Sequence, residues 1–141
     1  MKMLSLITAY VVRENEQYRY KLVGKGEKYL VQHNESEDAA MKVIEFLTPY
    51  AKEPVKIKQV TLLKESVELI HYGDADFVFS VRIEFVLIEE NGKERKKSRT
   101  IYVTNDSINE ALDTTKEWMS GFLSDSAITS IVRTKIIDVI T

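Results

Sequence analysis

The clearest pattern in the chain is the alternation of apolar and polar residues in FVFSVRIEFVLI, residues 77–88. Side chains of a β-strand point alternately to the two faces of a sheet, so this segment predicts a strand with one apolar face. Asn91 and Gly92 follow and favour a tight hairpin turn, because both residues tolerate positive φ. The return strand is predicted to reach TIYV, residues 100–103. The residues expected to be buried on the apolar face are Phe77, Phe79, Val81, Ile83, Phe85 and Leu87.

Two amphipathic helices are predicted from apolar residues at helical spacing. The stripe of the first helix is Ala39, Ala40, Val43, Phe46 and Leu47. Pro49 is expected to end this helix. The stripe of the second is Ile108, Ala111, Leu112, Thr115, Trp118, Met119, Phe122 and Leu123. Asn34 with Glu37 fits a capping pattern of two residues three positions apart. Ser107 with Glu110 fits the same pattern before the second helix.

A long segment of the chain occurs twice. YLVQHNESEDAAMKVIEFL, residues 29–47, aligns without a gap on IYVTNDSINEALDTTKEWM, residues 101–119. The alignment places Phe46 on Trp118. Similar elements in the same order at a fixed separation indicate an internal repeat.

The segments that flank this alignment also correspond. AYVVREN, residues 9–15, aligns on FVLIEEN, residues 85–91, if the first copy has four extra residues before Tyr29. VELI, residues 67–70, aligns on IDVI, residues 137–140. Each copy therefore consists of strand, strand, helix and strand.

These elements predict an α+β fold in which a duplicated strand-strand-helix-strand unit forms a mainly antiparallel sheet with two helices on one face. The two pseudo-repeats, about residues 4–70 and 77–140, are expected to form a single domain, since 141 residues are enough for one core. The apolar run at residues 4–12 is interpreted as a buried strand. It contains Ser5 and Thr8 and is too short to span a bilayer, so no membrane association is expected.

Four features of the chain carry a family resemblance: YLV before the first helix, the hairpin FVFSVRIEFVLIEENGKERKKS, and the endings SVELI and IIDVI. In these features the chain resembles an uncharacterised family of short proteins from Bacteroidetes and their phages, a domain of unknown function. The resemblance covers most of the chain from about Tyr18 onward; the long first strand and the VGKGE insertion depart from it. It implies a phage or mobile-element setting and brings no known active residues.

The composition limits the chemistry of the chain. Cysteine is absent, which excludes disulfides, thiolate metal sites and cysteine nucleophiles and favours the cytoplasm, here that of a bacterial host cell. No nucleophile elbow, phosphate-binding glycine loop or metal-binding helix motif occurs, so neither enzymatic activity nor a cofactor or metal is expected. His33 and His71 match no catalytic pattern. The acidic residues of the second helix are interpreted as a solvated face: Asp106, Glu110, Asp113 and Glu117.

Positive charge is concentrated in two segments, YRYKLVGKGEK at residues 18–28 and KERKKSRTIYV at residues 93–103. They carry +3 and +4, which leaves −9 for the remainder of a chain with a net charge of −2. If a pseudo-twofold axis relates the copies, both segments line one groove that binds anions or nucleic acid. The alternative is that charged strands stay solvated and prevent edge-to-edge pairing. The candidate binding residues are Arg19, Lys21, Lys25, Lys28, Lys93, Arg95, Lys96, Lys97 and Arg99, with Tyr18, Tyr20 and Tyr102 for base stacking.

The second face of the predicted sheet also carries apolar residues. Val86 and Ile88 lie there, and the repeat adds Tyr10 and Val12. An apolar face of this kind is expected to be covered, either by the terminal strands of the chain or by another subunit. Homo-oligomerisation through these four residues is the preferred interpretation.

These features favour a non-enzymatic phage-type accessory protein that binds nucleic acid, specifically single-stranded DNA, through its basic hairpins. The alternative is a module that binds a small ligand or a host protein, such as an inhibitor or sponge of a phage or mobile element. The two classes differ in the salt dependence expected for nucleic-acid binding.

Overall fold

A computed structural model describes residues 2–12, 26–71, 73–122 and 125–141. The elements over these residues are β1 (Met3–Tyr10), β2 (Glu27–His33), α1 (Ala39–Leu47), a 3₁₀ turn (Thr48–Tyr50), β3 (Lys56–Leu62), β4 (Glu68–Ile70), β5 (Phe77–Ile88), β6 (Glu94–Asn105), α2 (Ile108–Met119), β7 (Ser126–Arg133) and β8 (Ile136–Ile140). The strands form two four-stranded sheets, with the orders β3-β1-β2-β8 and β4-β6-β5-β7. Each sheet is mostly antiparallel and packs one helix on one face, which confirms the predicted α+β class.

The chain divides into two compact units. Unit 1 comprises Met1–Glu65 together with Ile136–Thr141, and unit 2 comprises Ser66–Lys135. Unit 1 therefore contains α1 and the sheet that ends in β3 and β8. Unit 2 contains α2 and the sheet that ends in β4 and β7.

The fourth strand of each unit comes from the other sequence repeat. β8 pairs in parallel with β2, where Tyr29 faces Asp138, and β4 pairs in parallel with β6, where Ile101 faces Glu68. The sequence alignment places Glu68 on Asp138, so the two endings occupy equivalent registers. The two units therefore have the same strand arrangement, and each is completed by a strand from the other part of the chain.

The register also corrects one part of the sequence alignment. Ile7 pairs with Tyr29 in unit 1, and Val81 pairs with Ile101 in unit 2. Since Tyr29 aligns with Ile101, Ile7 corresponds to Val81, and the alignment of the first strands was two residues out. A shift of two residues keeps every side chain on its face, so the predicted faces are unaffected.

Two strands were not recognised in the sequence. β3 pairs with β1 and β7 pairs with β5, and each pairing contains a register shift typical of a β-bulge. The shift leaves Lys58 unpaired in β3 and Thr129 unpaired in β7. Both strands are edge strands with many exposed residues, so they lack the alternation of a half-buried strand.

Each unit has its own apolar core between its helix and its sheet. The buried core of unit 1 is Ile7, Ala9, Val11, Tyr29, Val31, Ala39, Val43, Leu47, Val55 and Ile140. The buried core of unit 2 is Phe79, Val81, Ile83, Ile101, Val103 and Ala111. Of the six residues predicted to be buried on β5, Phe77 and Phe85 are half-buried against this core and Leu87 is 40% exposed. Leu87 is exposed because it lies near the tip of the hairpin, and its burial was predicted wrongly.

The predicted N-cap is correct for α2 and wrong for α1. Ser107 is the N-cap of α2, and its Oγ accepts a hydrogen bond of 3.2 Å from the Glu110 backbone N–H, which confirms the prediction. The N-cap of α1 is Asp38 instead of Asn34. Glu37 accepts a hydrogen bond from the Asn34 N–H, so this pair forms a turn that precedes the helix.

Two glycines meet local steric demands. Gly92 has φ of +80° in the loop between β5 and β6, whereas Asn91 is not among the described residues with positive φ. The loop is therefore longer than the two-residue turn predicted. A Cβ on Gly26 would lie 2.6 Å from Thr8 Cγ2 and 2.9 Å from Ala9 O, so this glycine permits the close approach of β1. Gly24 lies outside the described residues.

Candidate nucleic-acid interface

Most of the first basic segment lies outside the described residues, namely Tyr18, Arg19, Tyr20, Lys21 and Lys25. Lys28 is described and is an exposed residue of β2. The groove shared by both basic segments therefore stays a prediction. The second basic segment belongs wholly to unit 2 and is described throughout.

The cations of β6 divide between the two faces of the sheet. Residues opposite each other in an antiparallel pair share a face. Three cations lie on the helix side, where they face apolar residues of β5: Arg95 faces Leu87, Lys97 faces Phe85, and Arg99 faces Ile83. Lys96 faces Val86 on the opposite side.

Aromatic side chains lie on the same helix side. The ring centroids of Phe85 and Phe122 are 5.4 Å apart, and those of Trp118 and Phe122 are 4.6 Å apart in an edge-to-face arrangement. All three rings are half-buried, so each retains some exposed surface. We call Phe85, Leu87, Trp118 and Phe122 together with Arg95 and Lys97 the cationic–aromatic face.

Arg99 borders this face but is held by other groups. Its guanidinium donates hydrogen bonds of 2.6 Å to Ser66 O and 2.6 Å to Glu68 Oε1. It also lies 5.6 Å from the centre of the Trp118 ring. Arg99 therefore joins β6 to β4 and supports the indole ring, and its charge is compensated by Glu68.

The remaining cations of the second basic segment differ in their surroundings. Arg95 and Lys97 are exposed, and within the described part of the chain neither forms an ion pair. Lys96 Nζ lies 3.6 Å from Glu84 Oε1, an exposed pair of low strength. Lys93 is exposed in the hairpin loop, where its backbone N–H donates to Asn91 Oδ1.

Tyr102 does not lie with the cationic–aromatic face. It pairs with Ser80, whose side chain belongs to the other side of β5. Tyr102 is half-buried, and burial raises the pKa of its hydroxyl. Tyr102 thus lies on the opposite side of the sheet from Arg95, Lys97 and Arg99, and on the same side as Lys96.

The residues predicted to mediate self-association differ in exposure. Ile88 is 76% exposed, whereas Val12 and Val86 are half-buried. Tyr10 is also half-buried, and Lys58 Nζ lies 5.7 Å from the centre of its ring. Self-association through this face stays a prediction.

The histidines make ordinary structural contacts. His33 is buried; its Nδ1–H donates 2.9 Å to Asn34 O, and its Nε2 accepts 2.8 Å from the Ser5 hydroxyl. His71 Nδ1 lies 3.2 Å from Thr104 Oγ1. No cluster of three or more metal-binding side chains occurs in the described ranges. Within the same ranges, the structure contains no helix long and apolar enough to cross a membrane.

The aromatic part of the face was missed by reasoning from sequence. Phe85 was assigned to the buried face of a strand, and Trp118 and Phe122 were assigned to the buried stripe of a helix. The signal that could have found them is the pairing across the hairpin, because counting back from the Asn91-Gly92 turn brings Phe85 close to the basic residues of the return strand.

Fold and site together define an α+β protein with two four-stranded sheets that exchange one strand each, and one of these sheets carries a cationic hairpin. A family described as Domain of unknown function (DUF4494) matches residues 8–141. The chain therefore belongs to this family, in agreement with the resemblance seen in the sequence. No curated protein and no solved structure matches the chain.

Proposed function

We propose that the protein is a non-enzymatic, phage-type accessory protein that binds single-stranded DNA in the cytoplasm of a bacterial host. The observation that carries the proposal is that cations and aromatic rings share the helix side of the β5–β6 hairpin. Proteins that bind single strands without sequence preference combine a basic surface for phosphates with rings on which bases stack. The cationic–aromatic face offers both.

The arrangement avoids a difficulty of the basic strands considered alone. Along one strand, alternate residues point to opposite faces, so neighbouring rings and cations cannot reach the same ligand. Pairing across the hairpin removes this conflict, because it places Lys97 beside Phe85. Arg95 and Lys97 are two residues apart, about 6.6 Å along the strand, which allows them to contact successive parts of an extended backbone.

A second class, a small anionic ligand or a host protein, is favoured by the acidic residues of the same hairpin. Six cations and four glutamates lie between residues 82 and 99. The glutamates repel phosphates, so the hairpin attracts only a short stretch of a polyanion. They favour a compact anion or a partner surface of mixed charge. The salt dependence of binding separates the two classes.

The test is a fluorescence anisotropy titration with a labelled single-stranded oligonucleotide at two salt concentrations. Each phosphate contact contributes about 0.7 to the slope of log affinity against log salt concentration. Lys97→Gln removes one cation from the face and is expected to weaken binding about tenfold at low salt.

Lys96→Gln is the matched control, since it removes the same charge from the neighbouring position on the opposite side. It is expected to change affinity less than about twofold. Absence of binding at low salt contradicts the proposal, and equal effects of the two substitutions show that another surface binds the oligonucleotide. A slope that corresponds to a single phosphate contact, about 0.7, supports the compact anion instead.

A further inference from the structure

The outer edges of the two sheets differ in charge. In the described ranges, β3 and β7 each pair with a neighbouring strand on one side only. β3 begins KIK and carries Lys56 and Lys58, whereas β7 has no charged residue from Ser126 to Val132. Lysine in an edge strand prevents pairing with another chain. β3 has this protection, and β7 lacks it.

We propose that β7 pairs antiparallel with β7 of a second copy of this chain. The unit 2 sheet of one copy and the unit 2 sheet of the other would then form one continuous sheet of eight strands. The proposal concerns an edge that is separate from the cationic–aromatic face and from Tyr10, Val12, Val86 and Ile88, and it does not depend on the proposed function.

Among the described residues, the outer edge of β7 has backbone N–H and C=O groups that pair with no other strand. The Thr134 N–H donates 3.0 Å to Val78 O. The Val86 N–H donates 3.0 Å to Asp125 O. Successive residues of an antiparallel strand direct their backbone groups to opposite sides, so these two bonds define which residues face away from β5. The residues whose backbone N–H and C=O groups point away from β5 are Ser126, Ile128, Ile131 and Arg133.

The bulge identifies the occupant of this edge. The register shift at Arg82/Ile83 leaves Thr129 unpaired, so the outward residues Ile128 and Ile131 are three positions apart instead of two. In a regular strand, the residues whose backbone groups point to one side are two positions apart. Such a strand can therefore form hydrogen bonds with β7 on only one side of the bulge. A second β7 has the same step at the same place. Antiparallel pairing about a twofold axis then matches Ser126 with Arg133 and Ile128 with Ile131 of the other copy.

Within β7 the proposed pairing brings no like charges together. Arg133 would face the uncharged Ser126 of the second copy, and its guanidinium lies 4.6 Å from the centre of the Phe77 ring of its own chain.

A groove beside the edge supports the same surface. It lies between α2 and β7, has a volume of about 570 Å³, and is open to solvent. Its apolar lining includes Leu112, Met119, Ile128 and Ile131. The twofold axis is perpendicular to the sheet, so the grooves of both copies would lie on the same side and face each other. The two cationic–aromatic faces would also lie on this side.

The decisive experiment is crosslinking through single cysteines, which the cysteine-free chain makes unambiguous. Ser130 lies beside the proposed axis, about 6 Å from its counterpart, within the range for a disulfide. Val132→Cys is the matched control, because it is on the same strand but about 16 Å from its counterpart along the strand. Under mild oxidation we expect Ser130→Cys to form a covalent dimer and Val132→Cys to remain monomeric.

A substitution beside the proposed axis tests the same pairing without a crosslink. Ser130→Lys would place two like charges about 6 Å apart across the axis and is expected to raise the dimer dissociation constant about tenfold in light-scattering measurements. Circular dichroism checks that each variant is folded. A monomer at every concentration overturns the proposal. So does a dimer that Ser130→Lys leaves intact and Ile88→Lys dissociates, because this result assigns association to the sheet face that carries Ile88. Equal crosslinking of both cysteine variants also overturns it.

Discussion

Units 1 and 2 share one strand arrangement but differ in how completely the helix covers its sheet. In unit 1, Val11 and Leu47 are buried. The corresponding residues of unit 2, Phe85 and Met119, are half-buried. β5 has 12 residues and β1 has 8, and near the tip of the longer strand Leu87 is exposed. The candidate binding surface thus arises where the hairpin extends beyond its helix.

The contact that organises this surface is specific to unit 2. Arg99 binds Glu68 and supports the Trp118 ring. The alignment places Glu27 and Asp138 at the equivalent positions of unit 1, and both are acidic. The same framework therefore carries a cation–carboxylate contact in one unit and two carboxylates in the other.

The largest expected difference between the units concerns their helix ends. Leu47→Ala removes a side chain that is 1% exposed and is expected to lower the free energy of unfolding by about 2–5 kcal/mol. Met119→Ala, at the equivalent position, is expected to cost about 1–2 kcal/mol, because this side chain is only half-buried. Urea denaturation followed by circular dichroism measures both values.

Glu45→Ala, on the exposed side of α1, serves as the control and is expected to change stability by no more than about 0.5 kcal/mol. Equal losses for Leu47→Ala and Met119→Ala would show that the two helices cover their sheets equally well. Helix coverage of the sheet would then not distinguish unit 1 from unit 2.

The edge strands give a smaller but more specific difference. Lys58 and Thr129 occupy the bulge of β3 and β7, respectively. Thr129→Lys transfers the protection of β3 to β7 and places two like charges near the proposed twofold axis. It is expected to weaken the proposed dimer about tenfold in sedimentation velocity measurements, through charge repulsion.

The reciprocal change, Lys58→Thr, serves as the comparison, since it removes the bulge charge of β3. It is expected to leave the β7 dimer unchanged. Dissociation by Lys58→Thr, or full retention of the dimer in Thr129→Lys, would contradict the assignment of the interface to β7.

The sequence predicted the elements whose signal is local. The alternation over residues 77–88 predicted β5, because one face of this strand packs against α2. The cap at Ser107 was predicted because capping chemistry needs only residues three positions apart. At the start of α1, Asn34 and Asp38 both precede acceptable helix positions, and local pattern did not discriminate between them.

Features that depend on long-range pairing were missed or remained open. β3 and β7 lack a buried face, so their sequences do not alternate clearly. The exchange of β4 and β8 between units is not encoded in the segments themselves; VELI and IDVI look alike wherever they pair. The proximity of Lys97 and Phe85 depends on the hairpin register, which a loop one residue longer would change.

The smallest expected difference concerns ionisation in unit 2. Burial raises the pKa of Tyr102 above its ordinary value of 10.0. The unfolded chain therefore loses this proton at a lower pH than the folded chain, and stability falls as the pH rises above 10. Tyr102→Phe retains the ring and removes the ionisation, so this part of the alkaline loss should disappear. Urea denaturation between pH 9 and 11 measures the effect, with Tyr50→Phe, at an exposed tyrosine, as the control. An alkaline loss of the same size in wild type and Tyr102→Phe would show that Tyr102 ionises as readily in the folded chain as in the unfolded one.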